Sequence, residues 1–142
     1  MWKYLYPVIR TRKGTKTYAW AFYTRTLPCF KELKTLFYVD GKKVVPSEYI
    51  YELVSPIALA HLIMGDGSYI KGGLVICTDS FAMEDVVLLF NVLTIKYGLD
   101  CTIRKLDSAP RIYIKVNSMD KIREIVLPYM HSSMLYKIGI TV

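Results

Sequence analysis

An aspartate at the end of an apolar stretch is the residue of this sequence that points most clearly to chemistry. Asp66 closes the segment SPIALAHLIMGDGS (55–68), in which Ser55 suits an N-cap, Pro56 suits the first helical position and Gly67 predicts the helix end. A helix C-terminus carries partial negative charge and disfavours a carboxylate. A bound divalent cation would offset that charge, so Asp66 indicates a metal site. The alternative is an ordinary solvated helix end.

The helix that carries Asp66 is apolar on nearly every face, which predicts burial on all sides. Its small residues Ala58, Ala60 and Gly65 would let another backbone approach closely. The elements that follow alternate between helical and strand-like spacing. From residue 55 the predicted order is helix, two strands, helix, two strands and two helical segments, at residues 55–66, 68–71, 74–78, 81–97, 99–106, 111–116, 119–127 and 128–138. This order predicts an α+β unit in which helices cover one face of a four-stranded antiparallel sheet.

The first third of the chain predicts a β-hairpin followed by a short helix. Residues 2–26 alternate as two strands around Gly14-Thr15, and residues 27–38 have helical spacing. One hairpin face is aromatic, and five cations lie on the other face or in the turn: Arg10, Arg12, Lys13, Lys16 and Arg25. Such a ribbon suits a phosphate backbone or a major groove, and a solvated basic face is the alternative.

Composition limits the possible functions only broadly. The net charge of +7 suits a polyanionic partner and equally suits a soluble basic protein. No apolar run reaches the length of a membrane span, and no leader segment is recognisable, so no membrane association is expected. Cys29, Cys77 and Cys101 lack CxxC spacing and indicate thiols in a reducing compartment rather than a zinc site.

Three segments of the chain resemble the LAGLIDADG homing endonucleases. The stretch LAHLIMGDG (59–67) resembles their motif, with matches at Leu59, Ala60, Leu62, Ile63, Asp66 and Gly67 and departures at His61, Met64 and Gly65. PYMHSSMLYKI (128–138) resembles the end of the family's second repeat, and YTRTLPCFKELKTLFYVDGKKVVP (23–46) resembles the bridge between repeats. The resemblance implies an αββαββα unit over residues 47–142. Residues 1–46 then resemble the tail of a first repeat.

The resemblance also implies an activity, which is the site-specific, Mg²⁺-dependent hydrolysis of phosphodiester bonds in double-stranded DNA. One carboxylate per chain is too few for such a site, so a second motif helix must come from a homodimer or from a separate chain with the first half. The implied helix interface comprises Ala58, Leu59, Leu62 and Ile63. The implied metal site comprises Asp66 and Gly65, and the implied catalytic residues are Asp66, Lys115 and Lys137.

Strand residues that face the groove would read the DNA. Their candidates are Tyr69, Lys71, Asp79, Arg104, Arg111, Tyr113 and Lys115, together with Val75, Cys77 and Thr102. A register shift of one residue would exchange the two faces, so the sequence leaves open which set meets the nucleic acid. The family uses a polar residue near the end of the second strand and a lysine near the final helix around its metals. Asp79 lies near the first of these positions and Lys137 near the second. Ordinary capping or surface solvation is the alternative for Asp79, Lys115 and Lys137.

A different class of function is a non-catalytic RNA-binding derivative, such as an intron maturase or a component of a ribonucleoprotein. The lack of a second motif in this chain favours that class, whereas the intact Asp66 and Gly67 favour the nuclease. A generic basic α+β protein is a third interpretation. The resemblance alone implies an organellar origin, in a mitochondrion or a chloroplast.

Overall fold

A computed structural model of the chain describes residues 6–106 and 109–141. Three parts of the predictions above lie outside the described residues. They are residues 2–5 of the predicted first strand, Asp107 and Ser108 of the predicted turn, and the side chain of Arg12. The chain divides into two units, Met1–Lys34 and Thr35–Val142. The first unit contains strands β1 (Tyr6–Arg12) and β2 (Thr15–Ala21) and the beginning of helix α1 (Pro28–Phe37).

The second unit contains the remaining helices and strands. In chain order they are β3 (Tyr38–Val39), β4 (Lys42–Lys43), α2 (Ile50–Leu53), α3 (Pro56–Asp66), β5 (Gly67–Ile70), β6 (Gly73–Cys77), α4 (Met83–Asn91), β7 (Cys101–Leu106), β8 (Ala109–Ile114) and α5 (Met119–Val126). Helix α4 continues as a π-helical segment, Val92–Lys96, and three 3-10 segments follow β8, at Val116–Ser118, Leu127–Tyr129 and Ser132–Ile138. This architecture confirms the predicted α+β fold and its element order.

One antiparallel sheet organises the second unit, with strand order β5-β6-β8-β7. In its two central strands the alternate residues Leu74, Ile76, Ile112 and Ile114 have no exposed surface and belong to the core that the helices build. The other residues of these strands lie on the opposite face, which we call the outer face. Helices therefore cover one face of the sheet, as the sequence predicts.

The hairpin turns use pairs of residues with positive φ. In the β5–β6 turn, Lys71 and Gly72 have φ values of 52° and 82°, and Lys13-Gly14 has the same pattern in the β1–β2 turn. Both central residues of a type I′ turn require positive φ, because this turn matches the twist of the strands. The predicted turn at Gly72-Gly73 is therefore wrong by one residue, since Gly73 begins β6.

Helix α3 begins as predicted but ends for a different reason. The Ser55 hydroxyl accepts a hydrogen bond from the Ala58 N–H at 3.3 Å, and Pro56 occupies the first turn. The helix ends before Gly67, as the sequence predicts, but the Gly67 backbone is extended rather than left-handed, with φ −81° and ψ 151°. A Cβ at Gly67 would collide with the Ile63 carbonyl oxygen and lie 2.9 Å from its Cγ2. Glycine is needed here for close approach rather than for positive φ.

Two polar residues near helix starts make contacts elsewhere instead of capping the helix. Helix α4 begins after Ala82, and the nearby Asp79 carboxylate binds Arg111. Ser118 precedes α5, yet its hydroxyl accepts the Asp100 N–H at 2.8 Å and so ties the helix to the start of β7. None of the helices described in residues 6–106 and 109–141 is long and apolar enough to cross a membrane.

The two glycines that flank Asp66 provide a test of this packing. Gly67→Ala should lower the free energy of unfolding by about 1–3 kcal/mol, because the new methyl group overlaps the Ile63 carbonyl. Gly65→Ala should leave it unchanged or raise it by up to about 1 kcal/mol, because Gly65 is helical with open space around it. Urea unfolding of both variants under dilute conditions measures the difference. Equal losses in the two variants would contradict the close approach.

Candidate functional site

The exposed Asp66 lies at the end of α3, where the last segment of the chain meets the start of β5. The Lys137 ammonium donates a hydrogen bond to the Gly67 carbonyl oxygen at 2.8 Å. The 3-10 segment Ser132–Ile138 thus brings a cation to the negative end of the helix, where positive charge is stabilising. Two of the three predicted catalytic residues, Asp66 and Lys137, therefore lie at the same end of α3.

Lys115 lies elsewhere in the sheet. It follows Ile114, which is opposite Leu74 of β6, and Leu74 is opposite Tyr69 of β5. Lys115 is therefore level with Ile70, three residues along β5 from Gly67 and two strands away from it. At the usual spacings of a sheet, these offsets are about 10 Å along the strands and about 10 Å across them. Its ammonium forms an ion pair with Asp100 at 2.8 Å, which lowers the pKa of the Asp100 carboxyl. The structure does not bring Lys115 to Asp66.

Helix α3 buries one face and leaves the other open. Leu59 and Ile63 are fully buried in the core of their own unit, so the prediction that they form an interface with a second helix is wrong. The prediction that α3 is buried on all sides is also wrong, since Ile57, His61 and Gly65 are exposed. These three residues are spaced by four and therefore form one stripe.

Ala58 and Leu62, the other two predicted interface residues, are partly exposed beside this stripe. We call Ile57, Ala58, His61, Leu62 and Gly65 the open face of α3. Half of the Ile57 side chain is exposed, at 50%. His61 had not been predicted as an interface residue, although its spacing from Ile57 and Gly65 is visible in the sequence. Its Nδ1 lies 2.8 Å from the Ile57 carbonyl oxygen, so this nitrogen carries the proton.

A complete metal site is not formed by the described part of this chain. Among those residues there is no group of three or more His, Cys, Asp or Glu side chains that could hold a metal ion. Mg²⁺ prefers six oxygen ligands in octahedral geometry. The Asp66 carboxylate and the Gly65 carbonyl supply oxygens of the right type but too few of them. Their chemistry fits one half of a divalent-cation site.

The strand register decides which candidate residues lie on the outer face. Six of them share it: Val75, Cys77, Thr102, Arg104, Arg111 and Tyr113. Tyr69 lies on the helix-covered side, where its ring lies against Gly139, and Lys71 lies in the β5–β6 turn. The prediction that Tyr69 and Lys71 share one face with the other strand candidates is therefore wrong. Ser68 and Ile70 take their place on β5, and the sequence could not identify them without the register.

The outer face is organised by two fixed guanidinium groups. Arg111 Nε and Nη2 donate to the two Asp79 carboxylate oxygens, each at 2.8 Å, and this pairing lowers the pKa of the Asp79 carboxyl. The guanidinium carbon of Arg104 lies 3.6 Å from the centre of the Tyr113 ring, a cation–π contact. Gly73 lets Tyr113 lie flat on the sheet, because a Cβ there would collide with the Tyr113 hydroxyl.

The hairpin of the first unit carries cations on both faces, so the prediction that its cations lie opposite the aromatic face or in the turn is wrong for Lys16. Arg10 is paired with Thr17 on one face, whereas Tyr18 and Trp20 lie on the other face and are 75% and 69% exposed. Lys16 shares the face of Tyr18 and Trp20. The turn contains Lys13, and Arg25 follows β2. Both faces of the hairpin by itself therefore carry predicted nucleic-acid contacts.

Comparison with known proteins assigns the family. The model of the LAGLIDADG DNA endonuclease family matches residues 1–122. The chain belongs to this family. An intron-encoded endonuclease ai4 of Dictyostelium discoideum is 41% identical to this LAGLIDADG chain over 121 residues, which are 84% of the chain and 76% of the relative. This match confirms the resemblance that the motif, the bridge and the ending predict.

Two further relatives extend the comparison. The cytochrome b mRNA maturase bI2 of Debaryomyces hansenii is 35% identical over 120 residues, covering 83% of the LAGLIDADG chain and 45% of the maturase. A solved structure of the homing endonuclease I-WcaI bound to its DNA recognition sequence superposes on this chain with a TM-score of 0.86 and 29% sequence identity. The superposition covers 96% of this chain and 65% of that endonuclease. The chain therefore spans less than two thirds of both proteins.

Thiol labelling tests the register of the sheet. Cys77 is partly exposed on the outer face and Cys29 is exposed, whereas Cys101 is buried on the helix-covered face. Burial raises the pKa of the Cys101 thiol to about 12, from a usual 9.0. At pH 8 we expect iodoacetamide to label Cys29 and Cys77, and Cys101 only after unfolding. Peptide mass spectrometry reads the sites, and labelling of folded Cys101 as fast as Cys77 would contradict the register.

Proposed function

We propose that this chain is a subunit or half of a site-specific double-stranded DNA endonuclease. The second motif helix is supplied by another chain, which is a second copy or a separate chain with the first half. The observation that carries this proposal is the open face of α3, which ends at the exposed Asp66 beside Lys137. The structural likeness to a DNA-bound homing endonuclease supports the same activity.

Pairing of two α3 helices completes the site in this proposal. The open face consists of apolar or small residues around His61, and Gly65 has no atoms within 4 Å of a Cβ position. Two helices that meet along such a face approach closely and bring their C-termini together. Each helix then contributes an Asp66-type carboxylate. The proposed division of the chain takes residues 1–46 as the tail of a first repeat. The β-hairpin and helix α1 in that segment support it, although the two structural units divide between Lys34 and Thr35.

Mg²⁺, or another divalent cation, is the cofactor of the proposed reaction. Asp66 and the Gly65 carbonyl would hold it together with the equivalent groups of the partner. A divalent cation in such a site activates a water molecule and stabilises charge on the phosphate oxygens. Lys137 keeps its ammonium at the end of α3, where it can attract the phosphate and orient a water molecule. Lys115 lies too far away in the sheet to share this role within one chain, and its proposed role is a DNA contact.

Double-stranded DNA is the proposed partner of the outer face. This face carries Arg104 and Arg111 on neighbouring strands, and the hairpin of the first unit carries Arg10 and Lys16. A two-stranded ribbon or a sheet edge can enter a major groove, and cations gain affinity by releasing counterions from the phosphates. The net charge of +7 adds to this attraction.

RNA binding without catalysis is the second candidate function. It is favoured by the 35% identity to a protein named cytochrome b mRNA maturase bI2 and by the incomplete metal site of one chain. In that case the outer face would bind a structured RNA. The same relatives include intron-encoded endonucleases, which favours an organellar origin for this chain, in a mitochondrion or a chloroplast.

Asp66→Asn tests the proposed activity. If a second copy supplies the other motif helix, we expect the wild-type chain to cleave, in Mg²⁺, a duplex that it has selected from a random-sequence library. Cleavage should stop when EDTA removes the metal. The affinity of Asp66→Asn for that duplex should stay within about threefold of the wild-type affinity, because a negatively charged carboxylate does not itself attract phosphate. Its cleavage rate should fall by more than about 100-fold, because even indirect partners of metal ligands are worth 10–100-fold. Gel electrophoresis of end-labelled duplex measures both.

Asp120→Asn is the matched control, because Asp120 is an exposed carboxylate on α5 that pairs with Arg123. It makes the same change of charge and should leave cleavage unchanged. Cleavage by Asp66→Asn at the wild-type rate would overturn the role of Asp66. A wild-type chain that binds a folded RNA more tightly than the selected duplex and never cleaves would establish the second candidate function.

A further inference from the structure

The first unit carries the whole net charge of the protein. Residues 1–34 contain eight Lys or Arg residues and one Glu, which give +7, whereas residues 35–142 contain eleven residues of each sign. Within residues 6–106 and 109–141, the hairpin cations Arg10, Lys13 and Lys16 form no salt bridge. These three cations therefore keep their charge. Such a concentration of positive charge in one small unit attracts a polyanion.

One face of the β1–β2 hairpin is aromatic and open. Lys16, Tyr18 and Trp20 alternate along β2, so their side chains leave the same face of the strand. Tyr18 and Trp20 are exposed over most of their surface, and so is Ile9, which is opposite Tyr18 on β1. We call Ile9, Lys16, Tyr18 and Trp20 the aromatic face of the hairpin.

The aromatic face differs from a face that packs against a protein core. The sheet of the second unit presents aliphatic side chains to its helices, at Leu74, Ile76, Ile112 and Ile114. The hairpin instead presents two large planar rings and places the Lys16 ammonium in the same row. Burial of that charge in a protein interface would be costly. Planar rings beside a cation are the combination that binds the bases and phosphates of a nucleic-acid strand.

The two rings suit unpaired bases rather than a duplex. Residues two apart on a strand are about 6.8 Å apart, whereas successive bases along a duplex strand are about 3.4 Å apart. In a duplex the neighbouring bases cover each other's faces, and only edges and phosphates are accessible in the grooves. Two bases that stack on Tyr18 and Trp20 must therefore separate from each other, which an unpaired strand permits. RNA presents such bases in loops, bulges and strand ends.

We propose that the aromatic face binds an unpaired stretch of RNA. Tyr18 and Trp20 each stack on one base, and the Lys16 ammonium contacts a phosphate beside them. Arg10 and Lys13 add to the attraction for the strand. This ligand and this surface differ from the duplex and the outer face of the proposed function, so either proposal can fail alone.

Binding of short strands to the full chain tests the proposal. The probe is a labelled, uridine-rich RNA of about twelve nucleotides, which cannot pair with itself and lies within the usual site size of aromatic platforms. The comparison strand has the same length and the same phosphates, but its sugars carry no bases. Fluorescence anisotropy should show that wild type binds the RNA at least about tenfold more tightly, because only the RNA offers faces for stacking.

Variants of Trp20 separate stacking from charge and from apolar contact. Trp20→Ala should weaken binding of the RNA by about 5–100-fold, the usual value of one stacked base, whereas Trp20→Phe should stay within about threefold of wild type. Trp20→Leu keeps an apolar side chain without a ring and should weaken binding as Trp20→Ala does. None of the three should change the affinity for a DNA duplex by more than about threefold, because the rings find no exposed base there.

Two further variants serve as controls. Tyr49→Ala removes a half-exposed ring from the second unit and should leave binding of the RNA unchanged. Lys16→Ala should lower the slope of log K against log salt by about 0.7, the value of one phosphate contact on a single strand. Circular dichroism during heating checks that each variant is folded.

The other outcomes overturn the proposal. Equal affinity of wild type for the RNA and for the strand without bases shows that only phosphates are bound. Wild-type affinity in Trp20→Leu excludes stacking, because leucine has no planar face. A DNA strand of the same sequence that binds more than about tenfold more tightly excludes RNA as the ligand. If wild type binds no strand and Trp20→Ala abolishes self-association in the ultracentrifuge, the aromatic face is an interface with a second copy.

Discussion

Leu74, Ile76, Ile112 and Ile114 have no contact with solvent, and their removal from water fixes the register of the whole sheet. Each buried aliphatic side chain contributes about 1.5–3 kcal/mol relative to exposure. A shift of one residue would move all four to the outer face, at a cost of about 6–12 kcal/mol, which is comparable to the whole stability of a typical domain. The identity of every outward-facing residue follows from this burial, including the two arginines.

The outer face concentrates positive charge, and local contacts make that concentration tolerable. Asp79 holds Arg111, Tyr113 holds Arg104, and Asp100 holds Lys115. The three contacts differ in how much net positive charge they leave. A carboxylate offsets the charge of its cation, whereas a ring leaves the charge in place.

Helix α3 connects the core to the proposed cleavage site. Its inner face is anchored by Leu59 and Ile63, and the close approach of Gly67 to Ile63 makes the chain pass directly from helix to strand. Asp66 is thereby held where helix and sheet meet, with Lys137 on the adjoining carbonyl. The same anchoring leaves Ile57, His61 and Gly65 open. A rigid helix with an open face suits the proposal that a second helix completes the site.

The sequence by itself determined the family, the order of helices and strands and the position of Asp66 at a helix end, because spacing and turn residues are local properties. It could not determine the face of α3 that stays open, since an apolar pattern around the whole helix does not distinguish core contacts from an interface. It could not place Tyr69, or pair Asp79 with Arg111, because strand parity and contacts between distant residues depend on the register. Only the tertiary structure decided those points, since the register is set by the joint burial of four strands and the helices that cover them.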